Sequence, residues 1–596
     1  MANFSRILIA AVVIVVIVVA GAAYYITTPR STMTTASTAS SSAAQSMLTI
    51  DESSPPGTMD AAGAQDNNAL EIVQNVNLPL VFCKDETCQQ FEPVLASSWT
   101  ASPDGLTYSF YLRHGVFYSN GDPFNAYVVW YDVYRNMLMN LPIDFIYSYY
   151  FNTTGVTAGD LNALNNQQNT PTNGTLLSIM QNPHNSITVL NETAVQFHLT
   201  NPFVAFMQTI DTSPWIFVDP YVVGQHGGVV ANQPNSYMVV NGTLVGNGPY
   251  VVQSYVQNQY ATLVANPNYW AENLTGSETN FVLQPAKIPE IVINYRTDEL
   301  TRSLDLETNR VQAAILSFTD VTSALNNDQN LYIPNLGPSG SLEWISIDAE
   351  KPPLTNALVR QAMVEAINVT RIQQVAFAGY AMPVVGPDLH GFFGYNDSIT
   401  PRPYNITDAK LLLAEAGYPN GNGLPPLNFL YPTSAYLSLV AQVVQQNLAQ
   451  IGITVVPQQV TEQTWIQASY LPGNSTGAPY MSASNWTYYN DVSAYEALVD
   501  SSYGVIDNYH NPALVALITK SNAELNSQIR AQQISQITEI VKDSDAEIWI
   551  SQDMNLYDTG AGYGPTIFNK CVSGMFYNTA FNGVMFNVLY LTCAPS

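Results

Sequence analysis

Charge is what this 596-residue chain has least of: Asp, Glu, Lys and Arg together make up 11% of it, less than half of the roughly 25% usual in soluble proteins. Basic residues are scarcer still, 18 Lys and Arg against 45 Asp and Glu, for a formal net charge of −27. Phosphate neutralisation needs clustered Lys and Arg, so this balance argues against nucleic acid as a partner and against docking on an anionic membrane surface. Histidine is thin as well. His114, His184, His198, His226, His390 and His510 are scattered and form no HExxH pair, which removes the commonest zinc-hydrolase signature. No GKS or GKT occurs, so ATP hydrolysis would belong to a separate chain. No metal or other cofactor is expected. A carboxylate pair for glycoside hydrolysis stays open, because its spacing of roughly 5–9.5 Å is set by the fold. No repeat of 20–50 residues is visible, which removes solenoids and propellers.

Cysteine is rare too, with four in two sequence-local pairs, Cys83 with Cys88 and Cys571 with Cys593. Neither pair has CxxC spacing or a nearby His pair, so neither resembles a zinc site. An even count in an exported chain makes them disulfide candidates, with buried free thiols as the alternative.

Hydrophobic residues make up 47% and aromatics 11%, a globular composition and not a disordered one. The length exceeds one hydrophobic core and implies two or three domains. With so few charges, solubility rests on Asn, Gln, Ser, Thr and Tyr. That fits an exported protein facing acid, where carboxylates protonate and an excess of Lys and Arg would repel. A stability optimum at or above neutral pH would count against this reading.

Ile7 to Ile26 carries no charge over twenty residues, about 30 Å of helix and the thickness of a bilayer's hydrocarbon core. Residues 1–26 therefore read as a retained N-terminal anchor, or as a signal cleaved near Ala20-Gly21-Ala22. Residues 27–46 hold twelve Ser or Thr among twenty, a flexible linker that cannot build a core. Ten N-x-[ST] sequons follow, at Asn152, Asn173, Asn191, Asn241, Asn273, Asn368, Asn396, Asn405, Asn474 and Asn485. Each is weak alone, but with anchor and stalk they favour an extracellular, glycosylated body held at the cell membrane.

The first half reads as strand-rich. Leu106 to Leu112 alternates after the turn Pro103-Asp104-Gly105, and Tyr250 to Val264 reads as a hairpin broken near Gln257-Asn258-Gln259. The second half alternates helices with strands. Asn356 to Phe377 puts Val359, Met363, Ala366 and Ile367 on one helical face. Asp408 to Ala416 has Thr407 or Asp408 as N-cap, Leu411 to Leu413 as apolar stripe and Gly417 as stop. Ala435 to Gln450 is a third helix, closed by Gly452 and followed by the strand Ile453 to Val456. The expected fold class is α/β, with a smaller β-rich domain built from the early strands.

Glu92 to Arg135, EPVLASSWTASPDGLTYSFYLRHGVFYSNGDPFNAYVVWYDVYR, resembles the oligopeptide/dipeptide-type extracellular solute-binding proteins of family 5. GNGPY at Gly246–Tyr250, NPNYW at Asn266–Trp270, Val359-Arg360-Gln361-Ala362, AKLLLAEAGY at Ala409–Tyr418 and Ile451-Gly452-Ile453 follow the family in order. Most of these motifs read as scaffold: Gly246, Gly248 and Pro249 fix a tight turn, and Arg113 and Arg360 meet buried acceptors. The resemblance implies a two-lobed type II periplasmic-binding-protein fold of the large peptide-binding class. Residues 47–95, 190–296 and 551–596 would form lobe one, 96–189 the accessory domain and 297–550 lobe two. Two strands, near Ile291–Arg296 and Ile548–Gln552, would cross between the lobes.

The implied function is the solute-capturing subunit of an ABC importer, a monomer that closes on an oligopeptide or oligosaccharide and delivers it to permease subunits with separate ATPase chains. Such a cleft needs flat apolar walls and a few polar fixers. Asn485 to Tyr495 resembles the family's cleft segment, in which a Trp is followed by an Asp that pairs with a peptide amine. Trp486 matches the Trp; Tyr489 stands where the Asp belongs, and the nearest carboxylate is Asp491. Trp486, Tyr488 and Tyr489 suit stacking on a sugar ring, with plain core packing as the alternative. Trp465 resembles a second cleft-facing Trp, Tyr436 starts the preceding helix, and Gln65 matches a segment that runs beside bound peptide. An extracellular polysaccharide- or peptide-cleaving enzyme and a structural surface glycoprotein are the competing readings.

Overall fold

Ile291, Ile293 and Tyr295 alternate along the strand Glu290–Tyr295 and are all buried, as a strand inside a sheet requires. It pairs in parallel with Met47–Glu52 and antiparallel with Tyr260–Ala265. The computed structural model that shows this describes residues 47–592, apart from 65, 86–87, 140, 142–146, 148–149, 166, 211–214, 236–243, 335–337, 470, 474, 488–490, 494–507, 555–565 and 575–584. The expected anchor 1–26, the linker 27–46, Gln65, Tyr488, Tyr489 and Cys593 fall outside the described residues, and of Trp486 only the backbone is described. All described residues belong to one unit spanning 44–593.

Among the described residues the first sheet has seven strands, in the order Leu331–Tyr332, Thr566–Asn569, Ala313–Ile315, Met47–Glu52, Glu290–Tyr295, Tyr260–Ala265 and Tyr250–Val256. The second has six, in the order Ala381–Met382, Glu547–Met554, Pro338–Ile347, Met481–Thr487, Leu427–Pro432 and Val455–Val460. Each sheet anchors its own core: Leu48, Ile50, Leu263 and Ile291 in one, Ile345, Phe429, Met481 and Ile548 in the other. The chain therefore passes from the first sheet to the second between Tyr332 and Pro338, and returns between Met554 and Thr566. Pro338 and Met554 are paired, so the crossings leave the second sheet side by side.

These positions correct the expected crossings and lobe limits. Glu290–Tyr295 is an interior strand of the first sheet; its β-branched run has the same sequence pattern as a crossing strand. Residues 299–332 belong to the first lobe, contributing the helix Glu299–Glu307 and two strands. Ile548–Gln552 lies within the second sheet, which the chain leaves only after Met554.

The accessory sheet is Ala96–Ala101, Thr107–Leu112, Ala194–His198 and Ile187–Asn191, so it runs past the expected limit at 189. Its Phe110 and Phe197 join the same continuous core as Leu48 and Ile291, which ties the accessory domain to the first lobe. The expected hairpin forms as Tyr250–Val256 and Tyr260–Ala265, turning at Asn258 with φ +60°.

In the second lobe the long helix expected over 356–377 is two, Ala357–Ala366 and Val369–Ala376, each capped by its own Asn, Asn356 and Asn368. The helix Ile406–Glu415 is capped by Asn405, whose side chain accepts from the N–H groups of Thr407 and Asp408. The cap is thus Asn405, because its carboxamide reaches both free N–H groups of the first turn. Leu413 faces the core while Leu411 is 63% exposed, so the apolar stripe is narrower than the sequence implies.

Two of the quoted motifs interlock. A Cβ on Gly246 would stand 2.0 Å from the Val76 carbonyl oxygen, at the end of the helix Asn67–Val76. The Gly248 N–H donates to that same carbonyl at 2.8 Å, and Leu78 N–H donates to Asn247 Oδ1 at 2.8 Å. Asn266 and Trp270 then donate to the Gly248 and Asn247 carbonyls. Arg113 donates to the carbonyls of Val94 and Pro93, and Arg360 to those of Ser544 and Leu354.

Candidate functional site

The strand Met481–Thr487 carries the backbone of Trp486, opposite Leu342 on Pro338–Ile347. Its residues divide by face, as strand geometry dictates. Met481 and Ala483 enter the core that holds Ile345 and Ile347. Ser482 and Ser484 take the other face. There Ser482 Oγ accepts from the Trp465 ring N–H at 2.9 Å and lies 2.7 Å from Ser469 Oγ. Ser484 Oγ lies 3.3 Å from Ser346 Oγ, which accepts from the Trp344 ring N–H.

Tyr436 sits on the opposite face. It is buried at 3% exposure, and its hydroxyl donates to Glu343 Oε1 at 3.1 Å. Its ring meets Phe377 at 5.4 Å, and Phe377 meets Phe318 of the first lobe at 5.4 Å. Tyr436 and Trp465, each expected near the cleft, therefore lie on opposite faces of the sheet. The sequence carried no information about which face of the sheet each helix covers.

Asp491 follows the strand on the Trp465 side. Its two carboxylate oxygens take Arg530 Nη1 and Nη2 at 2.8 and 2.7 Å, in a pair that is fully enclosed. Burial alone would raise the Asp491 carboxyl, but the Arg530 guanidinium and the Ser493 hydroxyl hold it below the usual carboxylate range. Asp388, close by, is pushed well up by burial and then by the charge of Asp491. Arg530 stacks over Phe393 at 5.3 Å. It belongs to the helix Ser527–Ser544, whose Ile537 and Val541 pack with Leu342, Trp344 and Trp549. Arg530 was missed from sequence. The signal was there in kind: in a chain with 18 Lys and Arg, an Arg between apolar helix positions must find a buried acid.

On the first lobe, the segment around Gln65 is fastened at both sides. Asp60 pairs with Arg135 and accepts from Asn235 N–H, all buried. Asp66 caps the next helix through Ala69 N–H. At the end of Met47–Glu52 lies a second acid group, whose Glu52 forms no ion pair among the described residues. Burial and the neighbouring Glu71 push Glu52 well above the carboxylate range, and Asp51 is raised by burial despite the amide of Asn294 at 2.9 Å.

Cys83 and Cys88 form a disulfide with Cα atoms 4.8 Å apart. Cys571 is half-buried, and its carbonyl accepts from Thr592; its expected partner Cys593 lies outside the described residues. Among the described residues no group of His, Cys, Asp and Glu is placed to hold a metal ion, and no helix is long and apolar enough to cross a membrane.

Comparison with known proteins gives a consistent set of relatives. A family model described as bacterial extracellular solute-binding proteins, family 5 Middle, matches residues 90–504. The glutathione-binding protein GsiB of Escherichia coli K12 is 27% identical over 398 residues, 66% of this chain and 66% of its own length, just under two thirds of each. The fold matches that of the periplasmic binding protein DppA from Helicobacter pylori in complex with the peptide STSA, at TM-score 0.68 and 22% identity over 91% of this chain and 98% of that one. It also matches the oligopeptide-binding protein AppA from Bacillus subtilis in complex with a nonapeptide, at TM-score 0.70 and 16% identity over 92% and 100%.

Proposed function

Because this chain belongs to family 5 of the bacterial extracellular solute-binding proteins, we propose that it is the solute-capturing subunit of an ABC importer. It closes two lobes on a small solute and hands it to permease subunits served by separate ATPase chains. The observation that carries this reading is the pair of sheets, each with its own core, joined by two adjacent crossings. Such a joint permits rotation of one body against the other with little repacking. The named relatives take glutathione and peptides, which supports an oligopeptide as cargo.

A neutral oligosaccharide is the second reading, and Asp491 favours it. A peptide ammonium at Asp491 would have to displace a buried bidentate guanidinium, leaving a cation without a partner. A sugar needs no such exchange. Native mass spectrometry of the purified chain, with captured solute retained, discriminates the two. Calorimetry then follows with a peptide set and an oligosaccharide set. Saturable binding without turnover is expected; cleavage of labelled oligomers would favour the enzyme, and no binding by either set would favour the structural glycoprotein. Trp486→Ala is expected to weaken binding by about 1–3 kcal/mol if that ring encloses solute.

We also infer that residues 7–26 anchor the body and 27–46 space it from the membrane, on their apolar length and Ser/Thr content. Recovery in the membrane fraction after carbonate washing tests this. Glycans are expected first at the exposed sequons Asn152, Asn173, Asn191, Asn273 and Asn405 and not at Asn485 inside a sheet strand, as glycopeptide mapping can check.

A further inference from the structure

Two contacts between the lobes stand out among the described residues. One lies in the segments next to the crossings, where Phe318 meets Phe377, as any hinge requires. The other joins segments that neither enter nor leave a crossing. The Val204 N–H, in the loop that follows the accessory strand Ala194–His198, donates at 3.0 Å to the carbonyl of Asn522. Asn522 ends the helix Pro512–Asn522 of the second lobe. Three residues on, Leu525 lies against the accessory turn at 102–105: a Cβ built on Gly105 would stand 3.4 Å from Leu525 Cδ2 and 3.7 Å from Pro202 Cβ.

The accessory domain shares a continuous core with the first lobe, so this contact spans the two bodies that must separate when the cleft opens. The last carbonyls of a helix have no partner within it. Here those of Ser521 and Asn522 are met by Arg530 Nε at 3.3 Å and by Val204 N–H. The same Arg530 holds Asp491 with its other nitrogens. One guanidinium thus links the segment leaving Met481–Thr487 to the turn that touches the accessory domain.

We propose that the Val204–Asn522 and Leu525–Gly105 contacts form a latch that holds the closed form, with Arg530 as the residue that positions it. The accessory domain then takes part in closure and is more than an appendage of the first lobe. The latch depends on movement of two lobes and not on the identity of the cargo, so its test needs no ligand.

The Val204 amide reports the latch directly, since its hydrogen bond breaks whenever the lobes part. Hydrogen exchange over residues 199–206 of the full chain, with small-angle scattering on the same samples, is the experiment. In the wild type the Val204 amide is expected to exchange at least about tenfold more slowly than a free amide, as a formed hydrogen bond implies. Leu525→Asp should accelerate it about three- to tenfold and increase the radius of gyration, and Leu525→Ala should act in the same direction by less. Leu525 is 57% exposed, so neither change should lower the melting temperature by much. Leu300→Asp, at a leucine that is 77% exposed on another helix, should leave both readings unchanged. Free-amide exchange at Val204 in the wild type would overturn the latch. So would unchanged exchange and scattering in both Leu525 variants, whatever solute the protein is found to bind.

Discussion

Two buried carboxylate sites, one in each lobe, solve the same problem in opposite ways. Asp491 keeps its charge because Arg530 meets both of its oxygens. Among the described residues Glu52 meets no cation, and burial and Glu71 push its carboxyl well up, which favours its neutral form. Burying an ion without a partner is costly, and the group neutralises instead. With 18 Lys and Arg for 45 Asp and Glu, cations cannot serve every enclosed acid. Among the described residues three do enclose one, Arg135 with Asp60, Arg402 with Asp545 and Arg530 with Asp491, and they hold together segments far apart in sequence. Elsewhere burial raises the carboxyl towards its neutral form, as at Asp51, Glu52 and Asp132.

The difference is broken most directly by removing one cation. Arg530→Met should destabilise the fold by about 3–5 kcal/mol, because Asp491 is left charged and enclosed. The double variant with Asp491→Asn should recover much of that loss, since no unpaired ion remains. Chemical denaturation of both variants checks this; equal losses would mean that packing, and not charge, dominates the site.

Acidity should act with opposite signs on carboxyls that the fold raises and on those it lowers. Burial raises Asp219 to about 6, against hydrogen bonds from Asn169 and Asn120, and burial likewise raises Asp348 to about 6. A carboxyl raised in the fold binds its proton more tightly there than in the unfolded chain. Its contribution is full below the unfolded value of roughly 4 and is lost as pH rises through 6. Asp491 is lowered, so its contribution is present above its unfolded value and is lost as pH falls through the still lower folded one. Asp219 alone should add about 2 kcal/mol between pH 7 and pH 4. Melting temperature should therefore rise on acidification from pH 7, peak in mild acid and fall below about pH 4. A maximum at or above neutral pH would remove both this account and the acid-facing reading of the composition.

Tyr436 and Glu343 offer an intermediate case, an acid held by a neutral donor. Tyr436→Phe removes one hydrogen bond and leaves the ring packing against Phe377. The expected loss is about 1–2 kcal/mol by denaturation, smaller than for Arg530→Met because no ion loses its partner.

Much of the scaffold was legible in the sequence because its signals are local. The Asp-Gly turn, the hairpin at Tyr250–Ala265 and the glycine stops at Gly417 and Gly452, with φ +93° and +89°, are each fixed by a few neighbouring residues. The GNGPY motif could be read as backbone and not cargo chemistry because a Cβ at Gly246 has no room. The crossings were not legible. An interior strand and a strand that leaves its sheet have the same alternation, and only pairing partners tell Glu290–Tyr295 from a hinge. The candidate site was partly legible. Asp491 was singled out, but the partner that decides its chemistry lies 39 residues on, and no spacing rule connects them. Tyr436 and Trp465 were each expected near the cleft, and the sheet separates them.

The mildest test addresses the proton itself. If Glu52 is protonated in the fold, Glu52→Gln replaces a neutral acid with a neutral amide of nearly the same shape. At pH 5 the change should then alter stability by less than about 1 kcal/mol, since no charge is removed. At pH 8 the wild type must either lose that proton within the fold or draw it from a dilute pool, a penalty the amide does not share. The variant should gain on the wild type as pH rises, giving denaturation curves that converge in acid and separate in base. Arg530→Met should do the reverse, with its loss largest where Asp491 is charged and smaller in strong acid. Parallel pH profiles for the two variants would mean that the lobes treat their buried carboxylates alike, and the contrast between a cation and a proton as counterion would fail.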